Sequence, residues 1–296
     1  MKAAKDSTAA SAPSVDLSVV VPVKNETENL APLIGEIAAA LRGRERYEIV
    51  YVDDGSDDAT FDQLVALRGD YPELRVLRHD VCCGQSAAIA TGVRAARGAI
   101  IATLDGDGQN DPADIPDLLA KFRAPGDPEH TMVAGHRAKR RDNAVRRFSS
   151  RLANSIRAGL LDDDTPDTGC GLKVFPRQAF LDMPRFDHMH RFLPALMIRQ
   201  GGRVLTVPVN HRPRERGTSK YGVWNRLWVG IVDLMGVMWL KRRGSRPVVS
   251  EATPDGKRDT ESGSATVEAP DTATVDAPVA ATDDAPERAT DTEVAG

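Results

Sequence analysis

Residues 103–111, TLDGDGQND, place two carboxylates, Asp105 and Asp107, one glycine apart directly after the apolar run AIIA. Hard oxygen ligands of this kind suit magnesium or manganese, which bridge onward to phosphate oxygens. If the backbone stays extended, both aspartates share one face, because side chains alternate along a strand. Gln109 and Asn110 would then add neutral oxygens or hold waters. A lone D-x-D equally suits a turn, so the pair gains meaning only from its surroundings. KNETEN (24–29) and DDGSDD (53–58) supply them, since each also closes an apolar run.

Those apolar runs define the elements that must position the acids. From Asp16 to Arg137 strand-like stretches (LSVVVPV, EIVYVDD, LRVLRH, AIIATLD) alternate with helix-like ones (ENLAPLIGEIAAALRG, ATFDQLVALRG, GQSAAIATGVRAARG, PADIPDLLAKFRA). Near-continuous Val and Ile runs separated by helices predict an α/β fold, with a mainly parallel central sheet flanked by helices on both faces. Ligands in such sheets sit beyond the carboxyl ends of the strands, where all three polar clusters fall. No G-x-G-x-x-G opens the first helix and no G-x-x-x-x-G-K-[ST] occurs, so phosphate must be held by other means than these glycine-rich loops.

Composition sets the boundaries. Residues 251–296 hold twelve acidic residues, three basic ones and no aromatic, and cannot bury enough apolar surface to offset ordering entropy. Removing that segment's −9 from the chain's −4 leaves +5 over residues 1–250, which favours an anionic substrate or surface. The first fifteen residues lack an apolar core and read as a flexible tail rather than a signal peptide, which predicts a cytoplasmic protein. Cys82, Cys83 and Cys170 show no zinc-site spacing and read as reduced thiols.

Six ordered stretches carry a family resemblance: VVVPVKNETENL (19–30), VYVDDGSDDAT (50–60), GQSAAIATGVRAARG (84–98), TLDGDGQNDP (103–112), DTGCGLKVF (167–175) and RERGTSKYG (214–222). Together they resemble the motifs of family 2 glycosyltransferases with the GT-A fold, in the subgroup similar to dolichyl-phosphate mannosyltransferase and bacterial polyprenyl-phosphate glycosyltransferases. The resemblance implies that Pro22, Asn25 and Glu26 line a nucleoside pocket and that Asp53 and Asp54 hold base and ribose. Gly84 would belong to the donor-contacting segment, in which Cys82-Cys83 replaces the relatives' usual Asn-x. Asp105, Asp107 and Gln109 would bind Mg2+ or Mn2+. Arg214, Gly217, Ser219 and Lys220 would lie near the donor diphosphate and acceptor phosphate, and Arg147, Ser150 and Arg151 would contact phosphate.

The implied reaction is an inverting transfer from a nucleotide sugar, UDP- or GDP-linked, to a polyprenyl phosphate, with Asp107, Arg214, Lys220 and Arg191 carrying the chemistry. An acceptor phosphate is anionic at neutral pH and needs no strong base. A saccharide hydroxyl would need a carboxylate, and HMHRFLPAL (188–196) offers His188, His190 and Arg191, with Asp187 just before it. Two histidines beside a helix are more often surface residues, and His190 stands as an assisting group against that background. The basic stretch 136–154 lacks the interleaved aromatics of a nucleic-acid site, so no nucleic acid is expected.

LWVGIVDLMGVMWL (227–240) runs straight into Lys241-Arg242-Arg243. Fourteen helical residues reach about 21 Å, short of a hydrocarbon core of about 30 Å. Trp224, Trp228 and Trp239 with the basic stop fit a helix lying in the headgroup layer, and a buried core helix is the alternative. The expected organisation is therefore a disordered tail (1–15), a GT-A domain (16–223), an amphipathic membrane-interface helix (224–243) and a disordered acidic tail (244–296). The protein would sit peripherally on the cytosolic face, with either direct lipid contact or an integral-membrane partner.

Overall fold

The computed structural model describes residues 15–124, 126–137, 159–161, 165–213 and 223–244, with only the backbone described for 223–228. Apart from residues 15 and 244, the tails expected at 1–15 and 244–296 lie outside it. So do Arg147, Ser150, Arg151, Arg214, Gly217, Ser219 and Lys220, along with the side chains of Trp224 and Trp228.

Seven strands form one sheet: β1 (Leu17–Val23), β2 (Tyr47–Asp54), β3 (Leu74–His79), β4 (Ile100–Thr103), β5 (Thr131–Arg137), β6 (Lys173–Pro176) and β7 (Arg203–Val209), in the order β3-β2-β1-β4-β6-β5-β7. The pairs β1–β2, β2–β3, β1–β4 and β5–β7 are parallel, whereas β6 runs antiparallel to both of its neighbours, β4 and β5. The expected mainly parallel sheet is present, and β6 is the strand inserted against the grain. Its four residues carry too short a pattern to announce their partners.

Alternation within β1 shows why the sheet is covered on both faces. Val19, Val21 and Val23 join Ile49 and Tyr51 of β2 in a core with helices α1 (Leu30–Leu41), α2 (Thr60–Leu67) and α4 (Ile115–Arg123). Val20, Val50 and Val52 point the other way, into a core with α3 (Gln85–Ala95), α5 (Arg177–Leu181) and α6 (Leu193–Arg199). In α1 the buried residues Leu30, Leu33, Ile34, Ile37 and Leu41 recur at three- and four-residue spacing, so one stripe faces the sheet. Each such fully buried side chain contributes roughly 1.5–3 kcal/mol relative to exposure.

A last helix, α7, spans Val223–Arg242. It is docked along one side only: Val237 is fully buried, Asp233 pairs with His188 at 3.1 Å and the Leu240 carbonyl accepts from Arg199 Nε at 2.8 Å. Val232, Met235 and Trp239, spaced by three and four residues, are 48%, 56% and 60% exposed. Among the described residues no helix is long and apolar enough to cross a membrane.

Candidate active site

The loops after β1 and β2 are zipped together by side chains. Asn25, at φ 56°, donates its backbone N–H to Ser56 Oγ at 2.9 Å, and its amide exchanges hydrogen bonds with Asp57. The Glu26 N–H bonds Thr60 Oγ1 at 3.0 Å, while Thr27 Oγ1 donates to Asp58 at 2.7 Å. Pro22 is the penultimate residue of β1, with its backbone in register with Val52.

Asp53 and Asp54 end β2; protein donors reach both oxygens of Asp54, whereas Asp53 Oδ2 is buried without a hydrogen bond and has only an ion-pair contact. Asp53 is fully buried, accepts the Ser56 N–H at 3.1 Å and meets Arg78 Nε at 3.4 Å, with the Arg78 guanidinium stacked 4.5 Å over the Phe61 ring. Asp54 receives His79 Nδ1 at 2.8 Å, the Cys83 and Gly84 N–H groups at 2.8 Å each, and the Cys82 thiol at 3.2 Å. Burial pushes its pKa up, but these donors outweigh burial and hold it below the ordinary aspartate value. Gly55, at φ 65°, lets this happen, since a Cβ there would stand 2.7 Å from the Cys82 nitrogen and the Val81 carbonyl carbon.

Beyond β4 the arrangement reverses. Asp105 lines a cleft of about 200 Å³ with Gln85, Thr168, Gly171, Lys173, His190 and Arg191 among its walls. Burial first, and then the charge of Asp107, push the Asp105 pKa up to about 6, against the opposing pull of Lys173. Gln85 Nε2 donates to its Oδ1 at 2.8 Å. The carboxylate lies directly over Gly171, where a Cβ would come within 2.3 Å of Asp105 Cγ. Lys173 is buried and donates to the carbonyls of Thr168 and Cys170. Burial lowers its pKa, although Cys170, Asp105 and Asp167 pull it back up.

The shared strand face expected for Asp105 and Asp107 is not found. Strand β4 stops at Thr103, and Gly106 and Asp107 form a turn. Asp107 Oδ1 accepts the Gln109 N–H at 3.1 Å, and the residue lines a second cleft of about 340 Å³ with Asn29, Glu36, Arg212 and Pro213. Asn110, expected to offer an oxygen or hold water, is 2% exposed and structural: its Oδ1 accepts the Asp105 N–H at 3.2 Å. Gln109 is half-buried, and its Nε2 reaches the Arg212 carbonyl at 3.5 Å. The segment that precedes Arg214 is stapled here, with the Arg212 N–H on the Gln109 carbonyl at 2.9 Å, a bridge from Asn110 to His211, and the Arg212 guanidinium on Glu36 and Asp111.

His190 departs from the expected surface position. It lines the Asp105 cleft, and its Nδ1 lies 2.7 Å from Ser86 Oγ. Burial first, and then the charges of Arg191, Lys173 and His188, drop its pKa to about 3, so it is neutral at physiological pH. Asp187 is exposed and does not line this cleft. Gln85, Gly171 and Lys173 were quoted within motifs but assigned no role. Their signal is the packing of DTGCGLKVF against the end of β4, which linear spacing does not reveal.

Comparison with known proteins places this arrangement in context. The family described as glycosyl transferase family 2 matches residues 18–183. Dodecaprenyl-phosphate galacturonate synthase of Rhizobium johnstonii is 36% identical over 239 residues, 79% of this chain and 70% of that protein. Undecaprenyl-phosphate 4-deoxy-4-formamido-L-arabinose transferase of Edwardsiella ictaluri is 34% identical over 210 residues, 70% of this chain and 63% of that one. The chain thus spans about two thirds of the length of these relatives. Among solved structures, a mannosyltransferase from Pyrobaculum calidifontis in complex with GDP-Man and Mn2+ aligns with TM-score 0.56 at 22% identity, over 79% of this chain and 66% of that one. Glucosyl-3-phosphoglycerate synthase from Mycobacterium tuberculosis, with Mn2+ and UDP, aligns with TM-score 0.57 at 15% identity, over 80% of this chain and 82% of that one. At these identities the two alignments speak for the fold, which is the GT-A fold expected from the motifs.

Proposed function

Because the chain belongs to glycosyltransferase family 2, we propose that it transfers a sugar from a UDP- or GDP-sugar to a polyprenyl phosphate with inversion, at the cytosolic face of a membrane. The observation that carries this reading is the wall of the Asp105 cleft. Among the described residues, that wall presents Lys173 and Arg191 as cations, and its one carboxylate is Asp105 itself. A hydroxyl acceptor needs a general base. His190, with a pKa of about 3, is too weak a base at neutral pH, and Asp187 lies elsewhere. An acceptor that arrives already anionic needs only positive charge to receive it.

The donor set fits Mg2+ or Mn2+. Asp105 and Asp107 offer hard oxygens, and a half-buried carboxylate raised by desolvation and then by a like charge is the group a divalent cation would stabilise. Such ions bind through one or two carboxylates and complete their shell with water and substrate phosphate. When bound, the cation supplies Lewis-acid stabilisation to the departing diphosphate. The chain's own residues do the rest. Gln85 orients the Asp105 carboxylate, and Gly171 leaves room for it. Lys173 and Arg191 supply positive charge on the acceptor side, and neutral His190 fixes Ser86 in the first turn of α3. Asp107, Arg214 and Lys220 are proposed on the donor side, because the chain reaches Pro213 in the wall of the Asp107 cleft immediately before Arg214. Gly217 and Ser219 belong to the same sequence motif, and Arg147 and Arg151 are further phosphate contacts. In this reading Pro22, Asn25, Glu26, Asp53, Asp54 and Gly84 form the nucleoside end.

The exposed stripe Val232, Met235 and Trp239 on α7, followed by Lys241 and Arg242, supports insertion into the headgroup layer of an anionic leaflet. An integral-membrane partner would cover the same stripe. The full reading is tested by incubating the protein with Mg2+ or Mn2+, radiolabelled UDP- and GDP-sugars and a short polyprenyl phosphate, then extracting lipid. Metal-dependent label in the organic phase is the expected result. Label confined to water-soluble saccharide acceptors would overturn it.

A further inference from the structure

Strands β2 and β3 end in register, with Asp54 beside His79, and the chain returns over them as Val81-Cys82-Cys83-Gly84 before entering α3. Asp54, His79 and Cys83 bring one carboxylate oxygen, one ring nitrogen and one thiol sulfur to within 4.8 Å of one another. Among the described residues this is the one group of three or more His, Cys, Asp or Glu side chains so gathered. The second thiol is close by, with Cys82 Sγ at 3.2 Å from Asp54 Oδ2. The linear spacing of the cysteines carries no zinc signature because two of the ligands arrive from neighbouring strands.

We propose that Asp54, His79 and Cys83, with solvent as the fourth donor, form a binding site for a thiophilic divalent cation such as zinc, distinct from the hard-oxygen pair at Asp105 and Asp107. The donor chemistry is that of tetrahedral zinc, with sulfur, imidazole nitrogen and carboxylate oxygen at about 2.0–2.3 Å from the ion. Ligands in that geometry stand about 3.3–3.8 Å apart, inside the 4.8 Å that encloses the three atoms here, and the 2.8 Å hydrogen bond between His79 Nδ1 and Asp54 Oδ1 opens as the ion enters. Magnesium would not choose thiols, so the two sites separate by ligand softness.

A second, independent feature prepares the histidine. Its Nε2 lies 2.9 Å from Thr91 Oγ1, an outer partner of the kind that orients metal-bound imidazoles. Without the ion, His79 Nδ1–H donates to Asp54 and Thr91 donates to Nε2. With it, the proton moves to Nε2, Nδ1 gives its lone pair to the cation, and the Thr91 hydroxyl accepts instead. A hydroxyl serves either tautomer. The Cys83 thiol releases its proton to solvent on binding. Asp54 is buried, His79 half-buried and Cys83 exposed, so the cation enters from the solvent side over Cys83.

Binding would clamp the Val81–Gly84 turn onto the end of β2. Resting on the reading that this end receives the donor nucleoside, the thiophilic cation would oppose donor binding and act as a brake on transfer. Cobalt(II) is the probe, titrated into the reduced full chain in magnesium-containing buffer. The expected signals are a thiolate-to-cobalt charge-transfer band and intense visible bands of tetrahedral coordination, both bleached by zinc. Cys83→Ser and His79→Gln should each lower cobalt affinity at least about 10-fold with unchanged far-UV circular dichroism, and Thr91→Val should lower it about 10-fold. No charge-transfer band in the parent chain, or a band unaltered by Cys83→Ser, overturns the site. Zinc should also weaken UDP or GDP binding at least about 10-fold in the parent chain and not in Cys83→Ser. Unaltered nucleotide affinity in the presence of the cobalt band would instead overturn the brake and the nucleoside placement, leaving the metal site standing.

Discussion

Two strand ends on the same edge of the sheet carry paired acids, and they are in opposite physical states. After β2, Asp54 collects two backbone N–H groups, an imidazole and a thiol, and its pKa is held down. After β4, Asp105 has one amide donor from Gln85 and a like-charged neighbour, and its pKa rises to about 6. The difference separates an acid whose charge protein donors compensate before any ion binds from one whose charge the same fold leaves largely uncompensated. Two aspartates at a strand end therefore state a location, and their partners decide the role.

If that distinction holds, the largest effects on activity come from the β4 end. Asp105→Ala or Asp107→Ala should lower metal-dependent transfer by about 10³-fold or more, with the fold intact by circular dichroism. Wild-type turnover in either variant would erase the contrast. Gly171→Ala should cost about 10²-fold, because the new methyl displaces the Asp105 carboxylate. A rate equal to the parent's would show that the carboxylate tolerates another position.

The β2 end should answer in stability. Asp54→Asn turns an amide donor toward groups that are themselves donors, and should lower unfolding free energy by about 2 kcal/mol in urea titrations at pH 7. The Asp54 pKa is depressed on folding, so the stability it contributes is present above the ordinary aspartate value and is lost as pH falls through the folded value. The penalty of Asp54→Asn should accordingly shrink in acid, and a pH-independent penalty would break the assignment. The smallest effect has the opposite sign. Asp105 is raised on folding, so its ionisation costs stability above about pH 6 and nothing below the unfolded value near 4. Asp105→Asn should therefore stabilise the metal-free protein at pH 7.5 by about 1 kcal/mol, about 2–4 °C in melting temperature after allowance for partial exposure. That gain should vanish at pH 4 and narrow when Mn2+ is added to the parent.

The sequence located much of this edge and misjudged parts of its geometry. Strands β1 to β4 were legible because Val and Ile runs stand between helical stretches, and LSVVVPV coincides with β1 residue for residue. Strand β6 was not, since KVFP takes its direction from β4 and β5 and not from its own four residues. The common face for Asp105 and Asp107 failed because Gly106 and Asp107 turn where an extended chain was assumed. His190 read as a surface residue because its partner, Ser86, is 104 positions away. Gly171 and Lys173 were passed over for the same reason, since their work depends on contact with a strand end about 70 residues earlier.

That inserted strand also has a consequence in time. Strands β1, β2 and β3 are sheet neighbours joined by single helices, whereas β4 returns to pair with β1 and β6 must then thread between β4 and β5, with Thr103 donating to the Gly171 carbonyl across 68 residues. Contacts so distant in sequence close late, after the local ones have reduced the entropy of the chain. A nascent chain that has emerged only as far as α4 holds the acids at β2 and β4 but not the wall opposite Asp105. During synthesis the β2 end is thus complete before the cleft at β4 exists, and pulse-labelled hydrogen exchange should show amides of β1 to β3 protected before those of β6.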